Sequence, residues 1–245
     1  MHIEMTNLAF FRNDIPFIAY GNSHLVVLFF SLLLLALILV ASKKLTTAQN
    51  LLIGRCLALI LAFSVVVYTI FEIALGRFDI AADLPLSLCN LFALLAPFAL
   101  WHPKHKYFEP IYFLVMAGTF QAIVTPDLYV DYPTYGFFKY WITHVGLVLL
   151  MMHYLVCFAL YPTARGIVKT FGWLNLYVIA LMPINYFLNA NYFYLMSKPI
   201  HPSVLDFFGP WPVYILVAEI LVMGFFALAM IPVVLAKKFV STGKC

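Results

Sequence analysis

Long apolar stretches separated by short polar connections run along the whole chain. Seven of these stretches come close to the roughly 20 mainly apolar residues that a helix needs to cross the hydrocarbon core of a membrane. The strongest runs from Leu25 to Ala41 and contains no charged residue. We therefore predict an all-α fold, a polytopic transmembrane helical bundle of about seven spans. The predicted spans are residues 24–42, 51–76, 84–101, 108–125, 139–161, 167–190 and 211–236.

Composition supports this class and indicates a simple organisation. Hydrophobic residues make up 65% of the 245-residue chain and charged residues only 10%, whereas about a quarter of an ordinary soluble domain is charged. The pattern contains no internal repeat or low-complexity linker, so we expect a single seven-helix membrane domain over residues 1–245. The stretch before the first span carries Glu4 and Asp14 and lacks a basic segment followed by a short apolar core. We therefore expect no cleavable signal peptide.

Lysine and arginine are distributed unequally between the two sides of the predicted bundle. Short loops rich in these residues stay on the cytoplasmic side of a membrane. If seven spans alternate, only Arg12, Arg77, Lys139 and Lys198 of the 14 basic residues fall on the N-terminal side. We therefore expect the N-terminus outside and the C-terminus in the cytoplasm. The net charge of +4 then reflects this bias, and no basic stripe indicates a nucleic-acid partner.

The polar side chains singled out within the predicted spans lie in the same half of the membrane. Such residues are costly in lipid, so they usually face the bundle interior and often mark function, although hydrogen bonding between helices would also explain single examples. At about 1.5 Å per residue from the span ends, all of them fall in the outer half. We predict that they line an outward-facing polar cavity. They are Glu72, Cys89, Asn90, Gln121, His144, Asn185, Asn189 and Glu219.

Cys89 and His144 are the chemically capable pair within this set. They lie at similar predicted depth on different spans, and a thiol needs a neighbouring base to become a nucleophilic thiolate. A cysteine like Cys89, taken alone, is more often a small hydrophobic residue packed in the interior. For His144 taken alone, a structural role and a ligand-facing role are equally good interpretations. The scatter of the cysteines, including Cys157 and Cys245, indicates neither a disulfide framework nor a zinc site. We expect no metal and no cofactor.

Five short segments together resemble a known family. The resemblance is to the YwaF and transmembrane protein 164 family, and the segments run in the family's order over most of the chain. One departure is Thr143 and Val145 around His144, where the family usually has Ser-His-Gly. The segments are DLPLSLCN at 83–90, TPDL at 125–128, WITHVG at 141–146, NYFYLMSKP at 191–199 and GPWPVYIL at 209–216.

The resemblance implies a multi-pass protein of the bacterial cytoplasmic membrane that acts on lipids. Animal relatives are described as acyltransferases that move a fatty acyl chain between phospholipids, using a membrane cysteine and a histidine. Carried over to this chain, these residues are Cys89 and His144, and the partners are membrane phospholipids or lysophospholipids. The family is also distantly similar to membrane hydrolases of fatty-acid esters.

The leading hypothesis is a lipid acyltransferase or lipid-ester hydrolase that works through a thioester. Cys89 would attack an ester carbonyl and His144 would take the thiol proton. Asn90, Gln121 or Asn185 would donate hydrogen bonds to the oxyanion. Glu72 or Glu219 would orient His144 or bind a lipid amine. The alternative is a transporter or head-group-binding protein without covalent chemistry, which the carboxylates and amides fit equally well.

Overall fold

The structure, a computed structural model, describes residues 8–199 and 203–241, and for residues 239–241 only the backbone. Glu4 and Cys245, which entered the sequence analysis, lie outside the described residues. Helices dominate the described chain, whose one β contact is an isolated bridge between Pro16 and Val130. The helices are α1 Asn22–Ser42, α2 Thr47–Ala74, α3 Leu88–Ala99, α4 His105–Val124, α5 Tyr135–Cys157, α6 Ala164–Leu188, α7 Val213–Leu228 and α8 Met230–Ser241.

The predicted class is confirmed, because the helices match the seven predicted apolar stretches. Five of them, together with the segment Val213–Lys238 that α7 and α8 share, are long and apolar enough to cross a membrane. The remaining one, α3, is apolar but only 12 residues long. At about 1.5 Å per residue it is roughly 18 Å long, well short of a hydrocarbon core of about 30 Å.

The third helix is shorter than predicted because its start is fixed by local chemistry. The prediction began at residue 84, whereas α3 begins at Leu88. Pro85 disfavours helical backbone at the residue before it, and the Ser87 side chain caps the helix by accepting the Asn90 backbone N–H at 3.4 Å. As a result Cys89 lies in the first turn of α3, at the N-terminal end of the helix.

Two other spans are irregular. In α4 a π-helical segment, Val115–Thr119, interrupts the regular helix, and such segments are frequent at functional sites. The last span breaks at Ala229 because Pro232 has no N–H to donate to the Leu228 carbonyl. The Tyr112 hydroxyl donates to the Ala229 carbonyl at 2.8 Å and so satisfies a carbonyl at this break.

Helix α5 is the centre of the bundle. It packs against α1, α2, α3, α4 and α8, and it is the most buried of the long helices, whereas α1 is the least buried. The large side chains of α1, such as Phe29 and Leu32, are exposed and would face lipid. Side chains of α5 that point inward, including Leu147, Leu150 and Tyr154, are fully buried. Residues on α5 are therefore the ones most enclosed by other helices.

The connections at one membrane face bind one another, and we call this the N-terminal face. The Arg77 guanidinium donates to the Asn13 side chain and to the Phe11 carbonyl, each at 2.8 Å. The Asp131 N–H donates to the Ile15 carbonyl at 2.8 Å. The Tyr192 hydroxyl donates to the Ile80 carbonyl at 2.6 Å. The N-terminal segment and the α2–α3, α4–α5 and α6–α7 connections therefore share this face.

Candidate functional site

The residues singled out from the sequence differ in burial. Glu72, His144 and Asn185 are buried. Cys89, Asn90, Gln121 and Glu219 are partly buried, and Asn189 is exposed. Seven of the eight residues are thus at least partly covered by other parts of the protein. Their contacts divide them into three places: a polar cluster around Cys89, a separate apolar cavity, and the C-terminal end of α6.

Cys89 is held between the start of α3 and the π-helical segment of α4. Its sulfur lies 3.3 Å from the hydroxyl oxygen of Thr119, which is itself buried. The first backbone N–H groups of a helix have no partner within the helix, and a thiol at a helix N-terminus is often reactive. The position of Cys89 in the first turn therefore suits a nucleophile better than the predicted position, which lay deeper within the outer half of the span.

His144 is fixed in one tautomer by its own helix. Its Nδ1 lies 2.7 Å from the carbonyl oxygen of Tyr140, one turn earlier on α5. Because a carbonyl only accepts, Nδ1 carries the proton and Nε2 keeps its lone pair. The Tyr140 ring stacks on the imidazole, with ring centroids 4.0 Å apart. His144 is thus oriented as a base through Nε2.

The structure records no direct hydrogen bond between Cys89 and His144 among the described residues. The recorded partner of the Cys89 sulfur is Thr119, and that of His144 is Tyr140. Both residues nevertheless belong to one neighbourhood, because Lys139 interacts electrostatically with Cys89 and with His144. The pairing of thiol and base therefore stays a prediction.

Lys139 is the main residue of this cluster that the sequence analysis did not assign to the site. Its ammonium group donates to Asn90 Oδ1 at 2.7 Å and lies 4.8 Å from the centre of the Tyr68 ring. The predicted span began at Lys139, which placed the residue at the membrane surface. The helix begins at Tyr135 instead, so Lys139 lies one turn inside it. A lysine within a span would have indicated a functional position.

Glu72 belongs to a tyrosine network beside this cluster. It accepts a hydrogen bond from the Tyr135 hydroxyl and interacts with the hydroxyl of Tyr68. The Tyr68 ring lies in turn beneath the Lys139 ammonium. Among the described residues no contact between Glu72 and His144 is recorded, so the contacts that Glu72 makes are with the two tyrosines rather than with the histidine.

The two asparagines near the end of α6 have structural roles. The Asn185 side chain donates to the Tyr192 carbonyl at 2.9 Å and accepts the Tyr192 N–H at 2.8 Å. Asn189 ends α6 in the left-handed conformation, with φ 49°, which asparagine tolerates better than most residues. Neither asparagine has a recorded contact with the Cys89 cluster.

A cavity of about 780 Å³ lies between α4, α6, α7 and the described parts of the α6–α7 connection, residues 193–199 and 203–208. Gln121 and Glu219 line it, whereas Cys89 and His144 do not. Most of its wall is apolar, unlike the polar cavity expected from the sequence. The π-helical segment separates it from the cluster: Ala117 and Gly118 line the cavity, and neighbouring Thr119 contacts Cys89.

A second cysteine and histidine lie at the opposite end of α5. The Cys157 sulfur is 3.6 Å from His153 Nδ1, and His153 Nε2 lies 2.8 Å from the Asn50 carbonyl. Neither residue lines the large cavity. No group of three or more His, Cys, Asp and Glu residues with the geometry of a metal site occurs in the part of the chain that the structure describes. Cys157 therefore offers an internal comparison for Cys89.

The helices and their apolar surfaces define a multi-pass integral membrane protein. Within this class the family follows from the sequence comparison. The sequence model of the TMEM164 family matches residues 19–230, so the chain belongs to the TMEM164 family and the resemblance of its motifs is confirmed. No curated protein and no solved structure matches the chain.

Proposed function

We propose that the protein is a membrane-embedded lipid acyltransferase or lipid-ester hydrolase in which Cys89 is the nucleophile and His144 the base. The observation that carries the proposal is the position of Cys89. It lies in the first turn of α3 beside the buried Thr119 and near the Lys139 ammonium. Positive charge and free backbone N–H groups both stabilise a thiolate. The substrates are membrane phospholipids or lysophospholipids.

In the proposed reaction His144 Nε2 accepts the proton of the Cys89 thiol. The thiolate attacks the carbonyl carbon of a lipid ester, and the tetrahedral intermediate collapses with cleavage of the ester C–O bond. His144 returns the proton to the departing alkoxide, which leaves a lyso-lipid and an acyl thioester. A lyso-lipid hydroxyl or a water molecule then loses its proton to His144 and attacks the thioester carbonyl. The C–S bond breaks, and the released Cys89 thiolate takes the proton back from His144. Sulfur and nitrogen must approach directly or through one water for the first step.

The oxyanion would be stabilised by groups already placed beside the sulfur. Donors preorganised toward the developing charge commonly provide the largest share of catalysis. The Lys139 ammonium, which interacts electrostatically with Cys89, and the N–H groups at the very start of α3 that precede Asn90 would be such donors. Asn90 uses Oδ1 to accept from Lys139, which leaves its amide N–H groups to donate. Gln121 lines the separate cavity and is therefore not included among these donors.

A comparison of two cysteines tests the proposal. Purified protein in nanodiscs is incubated with phospholipid, and intact-protein mass spectrometry detects the acyl adduct, with hydroxylamine release to identify a thioester. We expect Cys89→Ala to abolish the adduct and Cys157→Ala to retain it, although Cys157 has the recorded histidine contact. His144→Ala should lower the rate of adduct formation. An adduct that persists in Cys89→Ala, or that is lost only in Cys157→Ala, contradicts the proposal.

A second candidate function is a transporter or head-group-binding protein. Two carboxylates, Asp127 and Glu219, line the large cavity away from Cys89, and this feature favours binding without covalent chemistry. If Cys89→Ala leaves lipid remodelling unchanged while substitutions of the carboxylates impair lipid binding, this second function replaces the first.

For the topology we propose that the N-terminal face is outside and the C-terminus is in the cytoplasm of a bacterial cytoplasmic membrane. The support is the excess of lysine and arginine on the other face. The Cys89 cluster then lies toward the outer leaflet, and the phospholipids that reach it are those of that leaflet.

A further inference from the structure

The large cavity has a polar end and an apolar end. Thr125, Asp127 and Tyr194 line it at the N-terminal face, and Leu221 and Phe225 line its deeper part on α7. From Tyr214 to Phe225, both in the wall, the helix rises about 16 Å. A volume of about 780 Å³ is within the range of roughly 300–1,000 Å³ that ligand pockets occupy. An elongated amphiphile with its head at the N-terminal face fits this gradient.

The charged residues that the structure describes in the cavity wall are all acidic. Among the described residues that line it, Asp127 and Glu219 are acidic and none is lysine, arginine or histidine. The nearest described lysine is Lys198, whose ammonium donates to the Asp206 carbonyl at 3.4 Å and lies 5.7 Å from the centre of the Tyr214 ring. Lys198 itself is not part of the wall. The cavity therefore favours a cation over an anion.

Asp127 has an acceptor that the described residues leave unused. Its Oδ2 accepts a hydrogen bond from the Tyr194 hydroxyl, whereas its buried Oδ1 has no hydrogen-bond partner. Leaving a buried polar atom unpaired is costly. Asp127 lines the polar end of the cavity, so an ammonium group there would supply a donor to this carboxylate. The surrounding rings of Tyr20, Phe193 and Phe208 are compatible with a cation, since aromatic faces attract positive charge.

We propose that this cavity binds an amphiphile with one long apolar chain and a positively charged ammonium head group. Asp127 holds the head group at the N-terminal face, Glu219 adds a second negative charge farther along the wall, and the chain runs toward Phe225. The binding goes beyond the proposed acyl transfer and does not require it, because neither Cys89 nor His144 lines the cavity.

Two photoreactive probes that differ only in their head groups test the proposal on the unmodified protein. A primary hexadecylammonium and a hexadecyl sulfate, each with a diazirine near the chain end, are added in trace amounts to protein in phosphatidylcholine nanodiscs. These nanodiscs have no net charge and enrich neither probe. We expect the cationic probe to label peptides that contain Leu221 or Phe225 about tenfold more than the anionic probe, since a charge-assisted hydrogen bond has at least that effect. Equal labelling by the two probes overturns the proposal.

Variants locate the binding. Asp127→Asn and Glu219→Gln keep the shape of each side chain and should each weaken labelling by the cationic probe, with no effect on the weak labelling by the sulfate. A methyl group built on Gly118 meets no atom within 4 Å, so Gly118→Leu should fill the cavity and block labelling. Gly172 is equally open but does not line the cavity, and Gly172→Leu should leave labelling unchanged.

Different results would contradict the acyl-transfer proposal and the proposal of ammonium binding. Cys89→Ala should bind the cationic probe as well as the unmodified protein does. Labelling that survives Asp127→Asn combined with Glu219→Gln shows that the carboxylates do not select the head group and contradicts the inference, whatever the thioester experiment gives.

Discussion

A lysine ammonium inside a helical bundle has few ways to be stabilised, and Lys139 uses two of them. It donates to Asn90 at 2.7 Å and lies over the Tyr68 ring at 4.8 Å. Both partners hold it beside the first turn of α3, where Cys89 is located. The Lys139 charge interacts electrostatically with Cys89, so in the proposed reaction it would stabilise the thiolate or the oxyanion that forms there.

Replacing this charge should slow the chemistry without unfolding the protein. We expect Lys139→Met to lower the rate of thioester formation about tenfold or more, because removal of one stabilising donor typically has at least that effect. Lys139→Arg should retain part of the rate. Lys106 is the matched control, since its ammonium also lies over a tyrosine ring, Tyr107 at 4.6 Å, but on the other side of the bundle. Equal rates in Lys139→Met and Lys106→Met show that Lys139 has no role in the reaction.

Among the elements, the pair α2 and α5 depends on small residues. A methyl group built on Gly54 of α2 would lie 2.6 Å from ring atoms of Tyr154 on α5, and one built on Gly146 of α5 would lie 2.6 Å from Leu61 of α2. Glycine at these positions lets the two helices approach closely, as small residues do in membrane bundles. Close packing of α5 against α2 in turn fixes the helix that carries Lys139, Tyr140 and His144.

A single methyl group should therefore destabilise this contact. We expect Gly54→Ala to lower the free energy of unfolding in mixed micelles by about 1–3 kcal/mol, because overpacking forces neighbouring side chains to move. Gly172→Ala introduces the same methyl group into another helix, where nothing lies within 4 Å, and it should be neutral or stabilising because alanine favours helix. Equal stability of the two variants contradicts the packing argument.

At the scale of the whole molecule, hydrogen bonds join the N-terminal segment and three connections between helices at the N-terminal face. Which side of the membrane this face occupies decides which leaflet reaches Cys89. Two exposed positions report on the sides: Asp14 at the N-terminal face and Lys106 at the opposite one. In intact cells we expect a membrane-impermeant maleimide to label Asp14→Cys and to leave Lys106→Cys unlabelled. The reverse pattern inverts the proposed topology and places the cluster on the cytoplasmic side.

The apolar pattern alone determined the class of the protein and the approximate place of every span, because exclusion of charge from about 20 residues is a property of local sequence. The motifs around Cys89 and His144 likewise indicated the family that the family comparison confirmed. The residues at which helices begin and end were harder to predict from the sequence. Ser87 is a capping residue and Pro85 a breaker, yet both lie inside an apolar run that a window on hydrophobicity treats as continuous.

Tertiary structure decided which polar residues act together. From the sequence, Glu72 and Glu219 were both carboxylates in the outer halves of their spans, but Glu72 contacts Tyr135 and Glu219 lines the separate cavity. Asn185 binds the Tyr192 backbone, and Lys139, expected at the surface, bonds Asn90. Depth along a helix is set by counting residues, whereas the direction in which a side chain points depends on how helices rotate and pack against one another. That rotation is a property of the whole bundle, so only the assembled fold separates the Cys89 cluster from the cavity.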